Sequence, residues 1–140
     1  MKPSWIEKVN WIKKDERISV QGSVPQSAEF FQDHFPDFPV LPGVLMLEIL
    51  KQTAERYLQS RDGLPKLARS HLLEVQNAKF AHFLKPGDEW QSHLELLNQS
   101  ENQIACRGTL SSKDRIAASA KLIFEFVPEA EASAAAREGG

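Results

Sequence analysis

The 140-residue chain lacks the features that mark secreted, membrane-spanning and nucleic-acid-binding proteins. Its single cysteine, Cys106, excludes an internal disulfide bond and fits a reducing compartment. No apolar run approaches the roughly 18–20 residues that a membrane span needs, and residues 1–14 contain no uninterrupted apolar segment of the signal-peptide kind. The formal net charge of −2 offers no basic field for nucleic acid. We therefore expect a cytoplasmic protein without a membrane span or a nucleic-acid partner.

The composition indicates one ordinary folded domain. Hydrophobic residues make up 41% of the chain and charged residues 26%, and the length suffices for a real core. We expect the domain to cover residues 1–127. Residues 128–140 consist largely of Ala, Glu and Gly without an apolar face, so we expect a disordered tail.

The stretch from Phe30 to Gln52 joins a proline-rich loop to an apolar helix. Its three prolines fix φ and bias the preceding residues towards extended conformations; they are Pro36, Pro39 and Pro42. So stiff a loop suits the positioning of one side chain, which we identify as that of His34. Taken alone, a single histidine is more typical of a surface or structural position.

A long helix is predicted from about Pro42 to about Ser60. Proline is tolerated at a helix start, and Gly43 permits close approach to the free N–H groups there. Glu48 lies in an otherwise apolar run, where an acid is costly to bury unless it is paired or functional; the alternative is an acid on an exposed helix face. Because apolar residues surround the first half of the helix, we expect that half to be buried and the end to be wetter.

Strand patterns flank the helix. Residues 17–24 alternate apolar and polar side chains, as a half-buried strand does. Four further strands are predicted after the helix: His71 to Leu84, Glu89 to Asn98, Gln103 to Ser111, and Arg115 to Val127. Near the N-terminus the apolar spacing predicts a short helix instead, with one face formed by Trp5, Ile6, Val9 and Ile12.

The last two predicted strands each carry one apolar face with small residues at its centre. On the first strand this face comprises Ile104, Cys106, Gly108 and Leu110, and on the second Ile116, Ala118, Ala120, Leu122, Phe124 and Phe126. Small residues there would let a helix lie close to the sheet. One long helix and several antiparallel strands predict an α+β fold, with a sheet wrapped around a central helix.

The segment HFPDFPVLPGVLMLEILKQ, which starts at His34, resembles a known family signature. The pattern His-Phe-Pro-x-x-Pro-x-x-Pro-Gly-Val-Leu-x-x-Glu is typical of the β-hydroxyacyl-acyl-carrier-protein dehydratases, which have the hot-dog fold. The match runs without gaps over about twenty residues. A second, weaker resemblance covers Asn77 to Phe80 and Lys85 to Asp88. The fold that the resemblance implies agrees with the one that the strand pattern indicates.

The resemblance also implies a reaction and a set of roles. His34 would remove the α-proton of a 3-hydroxyacyl thioester, and the backbone N–H of Gly43 would stabilise the enolate oxygen. Glu48 would act as the acid that assists departure of the β-hydroxyl group. Val40 and Gln52 would line the substrate site, although Gln52 is also placed to be a simple partner of Glu48, one turn away. No metal or organic cofactor is implied.

The resemblance implies partners as well. The substrate would be an acyl group linked through phosphopantetheine to an acyl carrier protein. The active unit would be a homodimer, or a trimer of dimers, in which His34 and Glu48 of one site come from different subunits.

Departures from the family pattern leave a second class of function open. Asp33 stands where the family has Gly, either as a partner for the imidazole of His34 or as a solvated acid. The His-Arg-x-Pro-Phe-type segment found near the family's N-terminus is absent. The alternative is a hot-dog acyl-thioester-binding protein or a thioesterase. Three more histidines, His71, His82 and His93, fall on predicted strands without metal-ligand spacing, so we interpret them as structural.

Overall fold

The sheet and the helix lie within residues 5–13, 16–26, 40–60 and 68–128, which are the residues that the computed structural model describes. The elements there are β1 Lys8–Lys13, β2 Arg17–Ser23, α1 Gly43–Ser60, β3 Ala68–Phe80, β4 Glu89–Gln99, β5 Gln103–Ser112 and β6 Arg115–Pro128. The strands form one antiparallel sheet in the order β1-β2-β4-β5-β6-β3. Since α1 packs against β2, β3, β4, β5 and β6, the predicted α+β fold is confirmed.

One face of α1 forms the centre of the core. Its fully buried residues recur at the three- and four-residue spacing of a single helix face: Met46, Ile49, Leu50, Thr53, Ala54 and Tyr57. The expected change from a buried start to a wetter end is wrong. Val44, in the first turn, is 71% exposed, whereas Leu58, in the last turn, is only 5% exposed.

Small residues bring the helix close to β5 and β6, as predicted. A Cβ atom placed on Gly108 would lie 3.1 Å from Cδ2 of Leu50, so the helix rests almost directly on the backbone of β5. Ala118 and Ala120 are buried on the neighbouring strand. A buried hydrogen bond of 2.7 Å between the hydroxyl groups of Thr53 and Ser92 further ties α1 to β4. Thr53 also donates to the carbonyl of Ile49 at 2.8 Å, which satisfies the only short polar side chain on this helix face.

The N-terminal segment is a strand and not the predicted helix. Residues 8–13 form β1, which pairs with β2 and lies at the edge of the sheet. Trp11 and Ile12 are both more than one third exposed. The apolar spacing suited a helix, but pairing with β2 satisfies the backbone in an extended conformation, so tertiary contacts decided the element.

Two local predictions on the later strands are also corrected. Ala118 pairs with Leu110 but Ile116 pairs with Ser111, so Ala117 is an extra residue in β6. This β-bulge turns Ile116 away from the apolar face, and its side chain is 56% exposed. Since β3 ends at Phe80, His82 lies after the strand and not on it.

Turns lie before β4 and between β5 and β6. Gly87 has a φ of 85° in the turn before β4, a conformation that glycine adopts without strain. Lys113 and Asp114 connect β5 to β6 with φ values of 54° and 61°. The predicted tail of residues 128–140 lies outside the described part of the chain except for Pro128, which ends β6. The one helix described is not apolar enough to cross a membrane.

Candidate active site

The start of α1 is fixed to the sheet by the segment that precedes it. Val40 and Leu41 are buried, and the N–H of Leu41 donates to the carbonyl of Leu84 at 2.7 Å. The carbonyl of Pro42 accepts the first helical hydrogen bonds, from Leu45 at 3.0 Å and Met46 at 3.3 Å. Val40 therefore lies in the core beside the helix start, and the first N–H groups of the helix follow immediately.

Gly43, the first helical residue, lies against an aromatic ring. A Cβ atom at this position would be 3.2 Å from Cε1 and 3.3 Å from Cζ of Phe80, the last residue of β3. The φ of Gly43 is not in the left-handed region. Glycine is thus used here for close approach to the backbone and not for an unusual backbone conformation.

Glu48 lies on the side of α1 that faces away from the sheet. The fully buried helix positions 46, 49, 50, 53, 54 and 57 define one face, and at about 100° per residue position 48 lies roughly opposite their centre. The side chain is nevertheless half-buried. Glu48 therefore lies on the outer face of the helix, as one of the two interpretations held, but its side chain is partly buried and not fully exposed.

Gln52 connects Glu48 to the N-terminal segment. Its side-chain carbonyl accepts the backbone N–H of Trp5 at 2.8 Å. Because that N–H can only donate, it orients the amide with Nε2 towards Glu48, whose Oε1 lies 3.4 Å away. This second contact is long for a hydrogen bond. Gln52 is thus a partner of Glu48, and its role in lining a substrate site stays a prediction.

His34 and Asp33 lie outside the described residues, so their proposed roles stay predictions. The predicted site residues inside the described part of the chain are Val40, Gly43, Glu48 and Gln52. All four lie on α1 or directly before it, as the motif spacing requires.

Two residues that contact the proposed site residues were not predicted. Trp5 acts through its backbone N–H on Gln52, and Phe80 acts through its ring beside Gly43. Both are distant from the motif in sequence and meet it only through the fold. The apolar pattern around Trp5 was noticed, but it was interpreted as helical and gave no indication of a backbone hydrogen bond.

The described part of the site offers acid–base chemistry. It combines a half-buried carboxyl group with the N–H donors of a helix start, where partial positive charge accumulates and stabilises oxyanions. Among the described residues, no three side chains of His, Cys, Asp or Glu come together in a way that could hold a metal ion. His71 and His82 are exposed, and His93 lies on the outer face of β4, away from α1.

Solved structures of similar fold define the class. The fluoroacetyl-CoA thioesterase FlK matches 94% of this chain and 99% of its own with a TM-score of 0.75 at 14% sequence identity. The dehydratase heterocomplex ApeI:P from Xenorhabdus doucetiae matches 91% of this chain and 85% of its own with a TM-score of 0.66 at 19% identity. These likenesses concern the fold, which is the hot-dog fold of thioesterases and dehydratases.

The sequence determines the family within that class. The model of the ApeI-like family, described as ApeI dehydratase, matches residues 10–122. The 3-hydroxyacyl-[acyl-carrier-protein] dehydratase FabZ of Lactobacillus helveticus is 34% identical over 126 residues, which cover 89% of this chain and 83% of that enzyme. The chain belongs to the ApeI-like family of dehydratases, and the resemblance seen in the motif is confirmed.

Proposed function

We propose that this protein removes water from a 3-hydroxyacyl thioester carried on an acyl carrier protein and forms the trans-2-enoyl thioester, in the synthesis of a fatty acid or a related lipid or polyketide. The observation that carries the proposal is the motif itself. The part of the motif that lies in α1 has Gly43 at the start of the helix and Glu48 in a half-buried position about one turn further along. Membership of a dehydratase family and the FabZ relatives support the same reaction.

Each of the three chemical tasks has a candidate residue. His34 takes the α-proton as a neutral imidazole. The N–H of Gly43 donates to the enolate oxygen, aided by the helix dipole, and such donors contribute roughly 3–4 kcal/mol in oxyanion sites. The carboxylic acid of Glu48 gives a proton to the departing hydroxyl group. Gln52 donates to one carboxyl oxygen of Glu48, which favours placement of the acidic proton on the other.

A second subunit completes the site in this proposal. Glu48 faces away from its own sheet, so a group that reacts with it must lie over the outer side of α1. Large exposed apolar residues border the helix start or lie on β3 and the segment after it: Val44, Leu73, Phe80 and Phe83. β3 is a 13-residue edge strand with no neighbour on its outer side among the described residues, and long open edges are normally covered. We infer a homodimer through this region, with a trimer of dimers as the larger possible assembly.

The proposed setting is the cytoplasm, where a carrier-bound intermediate would be met. The one cysteine, Cys106, is buried and forms no disulfide bond, which suits a reducing compartment.

The proposal is tested by offering the purified chain two substrates. One is a 3-hydroxyacyl thioester of an acyl carrier protein, and the other is the matching saturated thioester. We expect enoyl product from the first, detected by its ultraviolet absorbance, and no free thiol from the second. His34→Ala and Glu48→Gln should each abolish enoyl formation, whereas His93→Ala, on the outer face of β4 away from α1, should leave it unchanged.

The same experiment separates the alternative class. Release of thiol from the saturated thioester without enoyl product would establish a thioesterase. Full dehydratase activity in His34→Ala would remove the proposed base and with it this mechanism.

A further inference from the structure

A row of charged residues crosses the outer face of the sheet, opposite α1. Residues paired on adjacent strands place it: Lys13 on β1 pairs with Arg17 on β2, which pairs with Glu95 on β4. Glu95 pairs with Arg107 on β5, which pairs with Lys121 on β6. Directly paired residues of an antiparallel sheet project from the same face. This cationic row therefore holds four positive charges and one negative charge across five strands, in a chain whose net charge is −2.

Most of these cations are not neutralised within the described part of the chain. Lys13 pairs with Glu16 at 3.0 Å, with both side chains more than half exposed. No carboxylate of the described residues makes an ion pair with Arg17, Arg107 or Lys121. The carboxylate of Glu95, although between two arginines in register, makes an ion pair with neither. As far as the described residues extend, the row thus retains unpaired positive charge for another molecule to bind.

One end of the row is preorganised by aromatic contacts. The guanidinium carbon of Arg17 lies 5.5 Å from the centroid of the Trp11 ring, within cation–π range. The rings of Trp11 and His93 are 6.3 Å apart. An open cavity of about 290 Å³ lies here, between Trp11 and Arg107. Trp11 is 44% exposed, and Trp and Arg are the residue types that most often dominate binding energy at protein interfaces.

The backbone of the row limits what can bind there. β2, β4, β5 and β6 each have a neighbour on both sides, so a partner lying over these four strands must be recognised through side chains. The next paired positions along the strands are mostly polar, with Ser19, His93, Thr109 and Ser119. Polar flanks of this kind suit the surface of a protein more than insertion into lipid.

We propose that the cationic row is a docking surface for an acidic helix of a partner protein. The row spans four strand spacings of about 4.8 Å, or roughly 19 Å, which equals the length of a helix of about 13 residues. Acidic side chains along one face of such a helix would lie over the two pairs of cations that flank Glu95. Because α1 and Glu48 are on the opposite face of the sheet, a bound partner leaves the proposed active site open. The inference is independent of the proposed reaction.

The test uses a fluorescently labelled 18-residue helical peptide with glutamate along one face, and the same peptide with glutamine instead. Fluorescence anisotropy is measured with the full chain at low salt, because exposed charges are screened at high salt. We expect the glutamate peptide to bind and the glutamine peptide not to bind. The double variant Arg17→Glu, Arg107→Glu should weaken binding at least tenfold.

Matched variants distinguish binding at the cationic row from unspecific attraction due to net charge. Arg56→Glu with Arg115→Glu makes the same change in net charge at two exposed positions outside the row, and should alter binding less than twofold. Trp11→Ala, which removes the ring beside Arg17 without a change in charge, should weaken binding severalfold.

Three results would overturn the proposal. One is absence of binding by the glutamate peptide to the unaltered chain. Another is equal weakening by the two double variants, which would show unspecific attraction. The third is binding to anionic phosphatidylglycerol vesicles that depends on Arg17 and Arg107 and that the peptide does not displace, since it would assign the row to a membrane surface.

Discussion

At Gly43 the relevant feature is the absence of a side chain. Its φ is not in the left-handed region, so backbone strain does not require glycine there. The ring of Phe80, 3.2 Å from where a Cβ atom would be, is half-exposed and can shift by a few tenths of an ångström. Substitution at Gly43 is therefore compatible with the fold, and its effect on catalysis can be measured separately.

We predict that Gly43→Val folds and dimerises but loses at least about a hundredfold in turnover, the scale of losing one oxyanion donor. The branched side chain would occupy the space through which the thioester carbonyl reaches the N–H group. The helix should tolerate the change, because valine is a better helix former than glycine by a few tenths of a kcal/mol. Turnover and melting temperature are the two measurements.

A second variant distinguishes two causes of lost turnover: blocked access of the substrate to the N–H group of Gly43, and displacement of the Phe80 ring. Gly43→Val combined with Phe80→Leu provides room for the new side chain without clearing the path to the N–H group. Turnover that stays low in the double variant agrees with close approach of substrate. Recovery of turnover would assign the loss to displacement of Phe80, and unchanged turnover in Gly43→Val would refute close approach altogether.

We expect the side chain of Gln52 to affect both the stability of the protein and its proposed catalytic activity. It accepts the N–H of Trp5 at 2.8 Å and lies 3.4 Å from Glu48. We predict that Gln52→Met lowers the free energy of unfolding by about 1 kcal/mol, because a partly buried backbone N–H loses its acceptor. Turnover should fall about tenfold with little change in KM, since Glu48 would lose its orientation. Urea titration and steady-state kinetics measure the two effects.

The control for this change is Gln59→Met on the same helix. Gln59 is exposed, so we expect its loss to alter stability by no more than about 0.5 kcal/mol. A normal melting curve for Gln52→Met would mean that the N-terminal segment is not held by this hydrogen bond in solution.

At the scale of elements, the turn between β5 and β6 carries avoidable strain. Lys113 and Asp114 both have positive φ, which is the pattern of a type I′ turn. This conformation matches the twist of the strands, but it is unfavourable for lysine and favours Asn-Gly. The ion pair between Lys113 and Asp88, 3.5 Å long with a largely exposed lysine, adds little to stability.

We therefore predict that Lys113→Asn with Asp114→Gly raises the free energy of unfolding by about 0.5–1 kcal/mol. The activity should not change, because the turn lies outside the proposed site. Gly87→Ala tests the same principle in the opposite direction: its φ is 85°, and the added Cβ would meet the side chain of Gln26. Urea denaturation should show one midpoint rising and the other falling, and a fall for the turn variant would show that its geometry differs in solution.

At the scale of the whole molecule, the proposed site needs two subunits. Glu48 faces away from its own sheet, and exposed apolar residues border the helix start and the edge strand β3. We predict that the inactive variants His34→Ala and Glu48→Gln regain activity when they are mixed under conditions that exchange subunits. A mixed dimer would contain one site in which both groups are intact.

Recovery should approach one quarter of normal activity. Half of the dimers in a statistical mixture are mixed dimers, and each mixed dimer has one intact site out of two. Subunit exchange is followed independently with differently tagged chains. Confirmed exchange without any recovery of enoyl formation would count against a shared site.

The sequence by itself determined the family, the central helix and most of the sheet. Periodicity identified α1, β2, β4, β5 and β6 because these elements have one buried face, and a buried face repeats in sequence with the period of its element. The proposed site residues on α1 could also be named from the sequence, because Gly43, Glu48 and Gln52 are held at fixed spacing within one helix. Local rules suffice where the partners are neighbours in the chain.

Tertiary structure decided whatever depends on distant partners. The segment from Lys8 to Lys13 became an edge strand because β2 offered it backbone hydrogen bonds, against its helical spacing. A single extra residue, Ala117, turned Ile116 outwards, and no periodic pattern marks where a bulge will form. The contacts of Trp5 with Gln52 and of Phe80 with Gly43 join residues 47 and 37 positions apart. Such contacts follow from how the sheet wraps around the helix, which the order of residues along the chain does not specify.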